Sequence, residues 1–371
     1  MKGRIVLPGI VVLALALGSA RAEAPQGPTW QGKMEKKEGL TIASNPKSSL
    51  FRLDALTLKE DLSIGAAQGG KDYAFFHAAS IEVDDGGNIY VMDQGDACIK
   101  VYAENGKYLR SIGRKGQGPG ELQNPNTIHL IGDDRLVFED FYRGLNIFTR
   151  EGKFISFVPT SDFIDVLVTP ENRVVARVNA IKSDLKGKEI RVYDGKLNLR
   201  KALLFIPEEP RDPQIIKPFA GLFDWALSQG DRVAISFKDD YEIDVLSLQG
   251  GSNLRIKRDF DRVKITKEEI DAMQNWIRGR KADIPEYHPA LQGIWADDEG
   301  RFYAKTYERT KDNNSFYYDI FDREGRYLAK VPIPRAIAPR VWKNNSMYGL
   351  EEDSEGFQMV KRFSVRWHLP N

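Results

Sequence analysis

The sequence predicts an all-β protein: a ring of six four-stranded antiparallel blades, with an N-terminal strand completing the last one. Three observations carry this. A tight turn followed by an apolar strand start recurs six times, at Ile89, Leu136, Val174, Val233, Phe302 and Met347, with starts 47, 38, 59, 69 and 45 residues apart. A Gly-Lys or Gly-Arg pair opens the outermost strand of three units, at Gly106, Gly152 and Gly325. The chain also stops one strand short of a full sixth unit, while a lone strand-like stretch stands near its beginning. Repeats of ~40–50 residues carrying four strands each are the pattern of a β-propeller.

The clearest unit spans residues 81–122. Its apolar runs are separated by Gly86-Gly87, by Asp93-Gln-Gly-Asp96 and by Asn105-Gly106. Asn-Gly is the strongest two-residue hairpin signal, because a type I′ turn needs positive φ at both central residues. The glycine-rich connection 113–120 then leads to the next unit. It has no Gly-Lys-Ser/Thr, and a strand follows it rather than a helix whose N-terminus would hold an anion, so it reads as a tight connection between blades. Units three and four, with Gly195-Lys196 and Gly250-Gly251, are degenerate copies.

Residues 51–58 alternate as a strand should, and Ser63-Ile64-Gly65 repeats the ending Ser111-Ile112-Gly113. This segment therefore reads as the last strand of a unit whose other three lie elsewhere. The sixth unit, ending near Trp367, lacks that strand. Pairing the two closes the ring and removes an exposed sheet edge. One helix is expected, over residues 266–281. Thr266 with Glu269 forms a capping-box pattern, and Ile270, Met273, Trp276 and Ile277 make an apolar stripe at helical spacing. It lies between units four and five and should pack across one end of the ring.

Of 371 residues, 42% are hydrophobic and 29% charged, and the formal net charge is +1. That balance argues against a nucleic-acid binder, which needs an excess of Lys and Arg. Lys2 and Arg4 precede an apolar run over residues 5–17, and Ala20-Arg21-Ala22 supplies a small-x-small site. This is the pattern of a cleaved secretory signal, and the run is too short to span a bilayer. The expected organisation is a signal peptide over 1–22, a flexible polar lead-in over 23–39 and one propeller over 40–371. The mature chain would be periplasmic or secreted, monomeric and without a transmembrane anchor. Cys98 is the single cysteine, so no intramolecular disulfide forms, and its place in an apolar strand marks a packed, inert thiol.

The run Ile81-x-Val-Asp-x-x-Gly87-Asn-Ile-Tyr-Val-x-Asp93, continuing Ile99-x-Val-Tyr102, resembles the NHL repeat. The connection from Ile112 to Leu122 resembles that of bacterial six-bladed propellers of the TolB-like superfamily. The match is close over units one and two, looser over unit five around residues 293–303, and one of spacing alone elsewhere. This resemblance implies a propeller with a binding face at one end. Such propellers include protein-binding modules, sugar-lactone hydrolases and lyases, so fold is a weak guide to chemistry.

The six connections entering the innermost strands should converge on one mouth of the channel. The same register places His77, Asn124, Asp162, Gly221, Ala290 and Arg335 there, with His288 two residues from Ala290. His77, Asn124, Asp162, His288 and Arg335 are therefore candidate ligand-binding residues, and Arg114 and Lys115 could serve an acidic ligand from the glycine-rich loop. In the lactonase-like relatives a divalent cation is held at the channel by carboxylates and amides. The resemblance assigns Asn124 and Asp162 to such parts, without a matching glutamate. No catalytic residue and no required cofactor are assigned; a divalent cation is the one inorganic ligand the mouth would suit. Asp93, Asp96 and Asp140 sit at turns and read as turn hydrogen bonders rather than calcium ligands. Phe75-Phe76, Phe141-Tyr142 and Phe316 to Tyr318 read as packing between blades. The expected function is an exported, non-enzymatic binding or scaffolding module holding a protein, peptide or glycan at the mouth. The rival is a metal-dependent lactonase or lyase using the same mouth.

Overall fold

The computed structural model describes residues 28–52, 55–65, 70–132, 134–141, 143–160, 162–208, 212, 214–219, 223–237 and 240–368. The signal segment 1–22 and Gly221 lie outside them. In chain order, β1 (Lys33–Lys37) and β2 (Leu40–Asn45) form a hairpin and β3 (Leu56–Ile64) follows. Blade I is β4 (Ala78–Val83), β5 (Ile89–Asp93), β6 (Cys98–Tyr102) and β7 (Tyr108–Ile112). Blade II is β8 (Pro125–Ile131), β9 (Arg135–Asp140), β10 (Gly144–Thr149) and β11 (Phe154–Pro159). Blade III is β12 (Phe163–Val168), β13 (Val174–Lys182), β14 (Leu185–Tyr193) and β15 (Leu199–Pro207). After the two-residue β16 (Ile215–Ile216), blade IV is β17 (Phe223–Ser228), β18 (Arg232–Phe237), β19 (Glu242–Ser247) and β20 (Asn253–Arg258). Helix α1 (Lys267–Ile277) and β21 (Lys281–Ala282), which pairs in parallel with β16, lead to blade V. Blade V is β22 (Leu291–Ala296), β23 (Phe302–Arg309), β24 (Ser315–Phe321) and β25 (Tyr327–Pro334). Blade VI is β26 (Ile337–Lys343), β27 (Ser346–Glu352) and β28 (Gln358–Trp367), completed by β3 pairing antiparallel with β28.

The ring closes as the sequence predicts. Because each blade is a sheet covered on both faces, there is no single central core. Six apolar clusters lie one at each blade-to-blade interface, and β5 and β6 are buried along their whole length. Cys98 is buried in β6, where burial pushes its thiol up to about 11, so it is a packing residue.

The recurrent glycine of the outer hairpin has a physical cause. Gly106, Gly152 and Gly325 all have positive φ. Each also faces an outer strand of the preceding blade: Gly106 meets Leu62 and Ile64, Gly152 meets Ile112, and Gly325 meets Ile256 and Ala43. A side chain there would strain the turn and, at Gly106 and Gly325, would press into that neighbour at about 2.8–2.9 Å.

Two features differ from expectation. Residues 33–37, within the stretch read as a polar lead-in, form strand β1, and β2 extends blade IV by pairing in parallel with β20. Asn45 anchors this addition, accepting from Tyr327 N (2.7 Å) and donating to Gly325 O (2.9 Å) across the blade IV–V boundary. The helix stops at Ile277 because Arg278 takes a left-handed conformation (φ 54°) before Gly279. Of its apolar stripe, Ile277 is buried while Trp276 stays 67% exposed.

Candidate functional site

Strand alternation sends every connection between blades, and every hairpin between the second and third strands, to one end of the ring. That end is the mouth. Aspartates hold its rim. Asp93 accepts from the amides of Phe76 (3.1 Å) and His77 (3.0 Å) and pairs with buried Lys100 (3.0 Å). Burial would raise its carboxyl, but the His77 amide, Lys100 and the Phe76 amide hold it below the usual range. Asp140 does the same in blade II, accepting from Gln123 N (3.3 Å) and Asn124 N (2.6 Å). Both carboxylates are thus spent on positioning the loops that carry His77 and Asn124.

Strands β4, β8, β12 and β22 begin immediately after His77, Asn124, Asp162 and Ala290, and β26 begins two residues after Arg335. His77, Asn124, Asp162 and Arg335 are exposed and Ala290 is buried. Arg114 and Lys115 are exposed on the blade I–II connection, and Arg114 is engaged by Glu121 at 2.9–3.0 Å. His288 is not on the open rim. It is buried under α1, with Nε2 3.1 Å from Glu269 and its ring stacked on Tyr307 at 4.0 Å. Arg309 also reaches Glu269. Burial opposes ionisation of Glu269, but the Thr266 amide, His288 and Arg309 bring its carboxyl down to about 2, so it stays charged and pins the helix start.

Below the rim, the innermost strands carry the channel. In five of the six blades this strand has one extra residue relative to its neighbour, blade IV alone being regular. Such a bulge bends the strand and re-aims a side chain. The bulges fall at Ala79, Asn126-Thr127, Ile164, Gln292 and Arg340. Polar bonds tie neighbouring inner strands: Ile128 N to Ser80 Oγ (3.4 Å), His129 Nε2 with Val166 O (3.2 Å) and Ile294 N to Asp224 Oδ2 (3.0 Å). The last bond needs Gly293, whose missing Cβ would lie 2.9 Å from the Asp224 carboxylate.

The two innermost strands of each blade, with the connections leading into them, divide into two sectors by charge. Blades I to IV contribute Glu82, Glu139, Asp165 and Asp224, with His129 and Arg177 among them. His129 Nδ1 lies 3.6 Å from Glu82, and buried Glu139 accepts from Asn126 (3.0 Å) and Thr127 (3.4 Å). Arg177 pairs with Asp165 and lies 4.7 Å over the Phe223 ring. Burial pushes the Asp165 carboxyl up to about 6 against the pull of Arg177, with repulsion from Asp224 added. Blades V and VI contribute Lys305, Arg335 and Arg340 instead. None of these sector residues except Arg335 was singled out from sequence. The signal was present as a charged residue between apolar ones in several inner strands (Ile81-Glu82-Val83, Ile164-Asp165-Val166, Pro339-Arg340-Val341), but alternation alone does not say which face meets the channel.

Asp165 makes a pH prediction. A carboxyl whose folded pKa exceeds its unfolded value of 3.8 costs stability as pH rises through that window to about 6. Below the window both states are protonated; above it the full cost, on the order of 2–3 kcal/mol, is in place. The stability of the wild type minus that of Asp165→Asn should therefore fall between about pH 4 and 6 and be level above it. Urea unfolding at a series of pH values checks this, and a level difference across the window would refute it.

Among the described residues, no group of three or more His, Cys, Asp or Glu side chains is arranged to hold a metal. No helix among them is long and apolar enough to cross a membrane. A cavity of about 670 Å³, lined by Lys47, Phe51, Arg52, Tyr327 and Lys330, opens along the outer strand of blade V, away from the channel.

Fold and channel together define a six-bladed β-propeller. A family model described as a 6-bladed beta-propeller, DUF5128, matches residues 71–141, which take in blade I and the first half of blade II. No curated protein matches the chain. Among solved structures, a Bacteroides fragilis protein described as exported is similar at 11% identity and a TM-score of 0.55, over 88% of this chain and 99% of its own. A Bacteroides vulgatus member of the DUF4221 family is similar at 11% identity and a TM-score of 0.54, over 85% and 99%. The Staphylococcus aureus virginiamycin B lyase aligns at 10% identity over 83% and 99%, with a TM-score of 0.41. These likenesses concern the fold and say nothing of chemistry.

Proposed function

We propose that the protein is an exported binding or scaffolding module that holds a protein, peptide or glycan at the mouth of its channel. The carrying observation is where the exposed large apolar side chains lie. Among the described residues these are eleven, and six of them (Phe76, Ile181, Leu185, Ile215, Trp276 and Phe357) sit on the mouth end. The remaining five are on the edge strand β1 and the outer strands β7, β11 and β15. Apolar residues gathered at one loop-rich end, around polar rim groups, are the composition of a recognition surface. The basic, apolar, small-residue pattern of residues 1–22 supports a periplasmic or secreted site of action. We read the blades as NHL-type repeats of a TolB-like propeller, on the motif of residues 81–102.

The test is partner enrichment from the exported fraction of the host with three baits, the wild type and two double variants. Phe76→Asp with Trp276→Asp alters the mouth; Ile155→Asp with Leu199→Asp alters the outer strands equally. The mouth variant should lose its partner by roughly tenfold or more while the outer variant keeps it. Equal retention by both variants would overturn the proposal.

A further inference from the structure

The cationic sector of the channel has an imbalance that the protein itself does not relieve. Lys305 lies on β23 and faces blade VI beside Tyr318, its partner in the β23–β24 ladder. Arg340 is the bulged residue of β26, and Tyr318 is the group that acts on its charge. Arg335 stands on the connection from β25 to β26, close enough to repel Lys305. All three therefore gather on the blade V–VI side of the mouth. None of them has a carboxylate partner within ion-pair distance among the described residues.

Several carboxylates in or beside these blades are engaged elsewhere. Glu308 pairs with Lys330, Asp319 with Arg258, Glu351 with Lys361 and Glu269 with Arg309, while Asp312 accepts from Thr310 and Asn314. Glu352 is exposed at the end of β27, without a cation on it among the described residues. Asp224, across the channel, accepts from the amides of Trp225 and Ile294. What faces the cations is an aromatic ring: Lys305 lies 4.5 Å, Arg335 5.3 Å and Arg309 5.4 Å from the Phe316 centroid. A ring quadrupole attracts one cation at an exposed site only weakly and does nothing to separate several. Burial, with repulsion from Arg335 added, lowers the affinity of half-buried Lys305 for its proton, while Arg340 is exposed on β26.

We propose that Lys305, Arg335 and Arg340 form a binding site for the anionic group, carboxylate or phosphate, of a small ring-bearing molecule. This rests on the reading of the mouth as a binding face and gives that face its ligand class. The two guanidinium groups supply planar paired donors for an oxyanion and Lys305 supplies a point charge. Phe316, with half-buried Trp295 nearby on Tyr318 (5.8 Å), supplies apolar faces for the ring. An anion there relieves the repulsion between Lys305 and Arg335, so it binds more tightly than its charge alone would ensure on an open surface.

The experiment is calorimetric titration of the full chain with two matched pairs of probes, galacturonate against galactose and glucose 6-phosphate against glucose. At least one charged probe should bind saturably while its neutral partner does not, and which charged probe binds tells carboxylate from phosphate. Lys305→Met, Arg340→Met and Arg335→Gln should each weaken that binding about tenfold or more, whereas Arg323→Gln, an exposed cation at the other end of blade V, should leave it unchanged. Bound anion should also shield Lys305 from amine acylation, read by peptide mass spectrometry. Equal binding of charged and neutral probes, no saturable binding of either anion at millimolar concentration, or insensitivity to all three substitutions would each overturn the site. If that happens while the Phe76 and Trp276 variant still loses its partner, the anion site falls and the binding face stands. Loss of the binding face with anion affinity intact separates the two the other way.

Discussion

Arg258→Met should destabilise the protein by about 3–5 kcal/mol, read as a fall in the urea midpoint with an unchanged slope. Arg258 is almost fully buried between blades IV and V, and its guanidinium lies 2.9 Å from the fully buried Asp319. Tyr241 and Tyr327 both donate hydroxyls to the same carboxylate. Arg258 also donates to Lys47 O (3.1 Å) and rests 4.6 Å from the centroid of the Tyr327 ring. Methionine keeps the aliphatic stem but leaves Asp319 a buried carboxylate without its cation, which is the costly half of breaking such a pair. Replacing both members, Arg258→Met with Asp319→Leu, should cost far less than the two single changes summed, because no orphaned charge then remains. The hydroxyls of Tyr241 and Tyr327 would still lose their acceptor, so some loss should persist. A single-variant loss under about 1 kcal/mol would show the pair to be hydrated, contrary to its burial.

A chain beginning at Gly65 should lose cooperative unfolding altogether. It lacks β3, which occupies the whole outer edge of β28 in an eight-pair ladder from Val360↔Ile64 to Trp367↔Leu56. Without it, β28 presents a long unpaired edge, a ready template for intermolecular pairing. Leu56 is also lost from the blade V–VI cluster, Ile64 from the blade VI–I cluster and Ala43 from the blade IV–V cluster. Three of six interfaces are therefore weakened by one truncation. The expected result is aggregation and a broad thermal transition, with a peptide covering residues 28–64 restoring a sharp one. A sharp transition in the truncated chain alone would mean that ring closure does not hold the fold together.

Much of this architecture was legible because it is local and repeated. The turn glycines Gly106, Gly152 and Gly325 have positive φ and stand against the blade before them, so three of the units keep the same residue at the same step. The Thr266 and Glu269 capping box is contained within four residues, and both of its hydrogen bonds form, at 3.2 and 2.9 Å. The orphan strand over 51–64 could be matched to the missing strand of the sixth unit by counting strands alone, and the match gave the closure. The rim register was legible too, since His77, Asn124 and Asp162 each stand immediately before an innermost strand. What escaped was non-local. Residues 40–45 pair with 253–258 in parallel, and nothing within either stretch names the other. His288 read as a rim group because it lies two residues before Ala290, but a helix from the same connection covers it.

By itself, then, the sequence determined the number of blades, their turns and the way the ring closes, because those follow from periodicity and from backbone conformations that single residues impose. Only the tertiary structure decided the chemistry of the channel. Glu82, Asp165, Lys305 and Arg340 are ordinary charged residues in alternating strands until the ring closes and single-residue bulges turn the inner strands. Closure then sets acids along blades I to IV and places three cations, without counter-charges among the described residues, on the side of blades V and VI. Charges brought together across blades interact through distances that no local pattern encodes, which is why the site appears only in the folded ring.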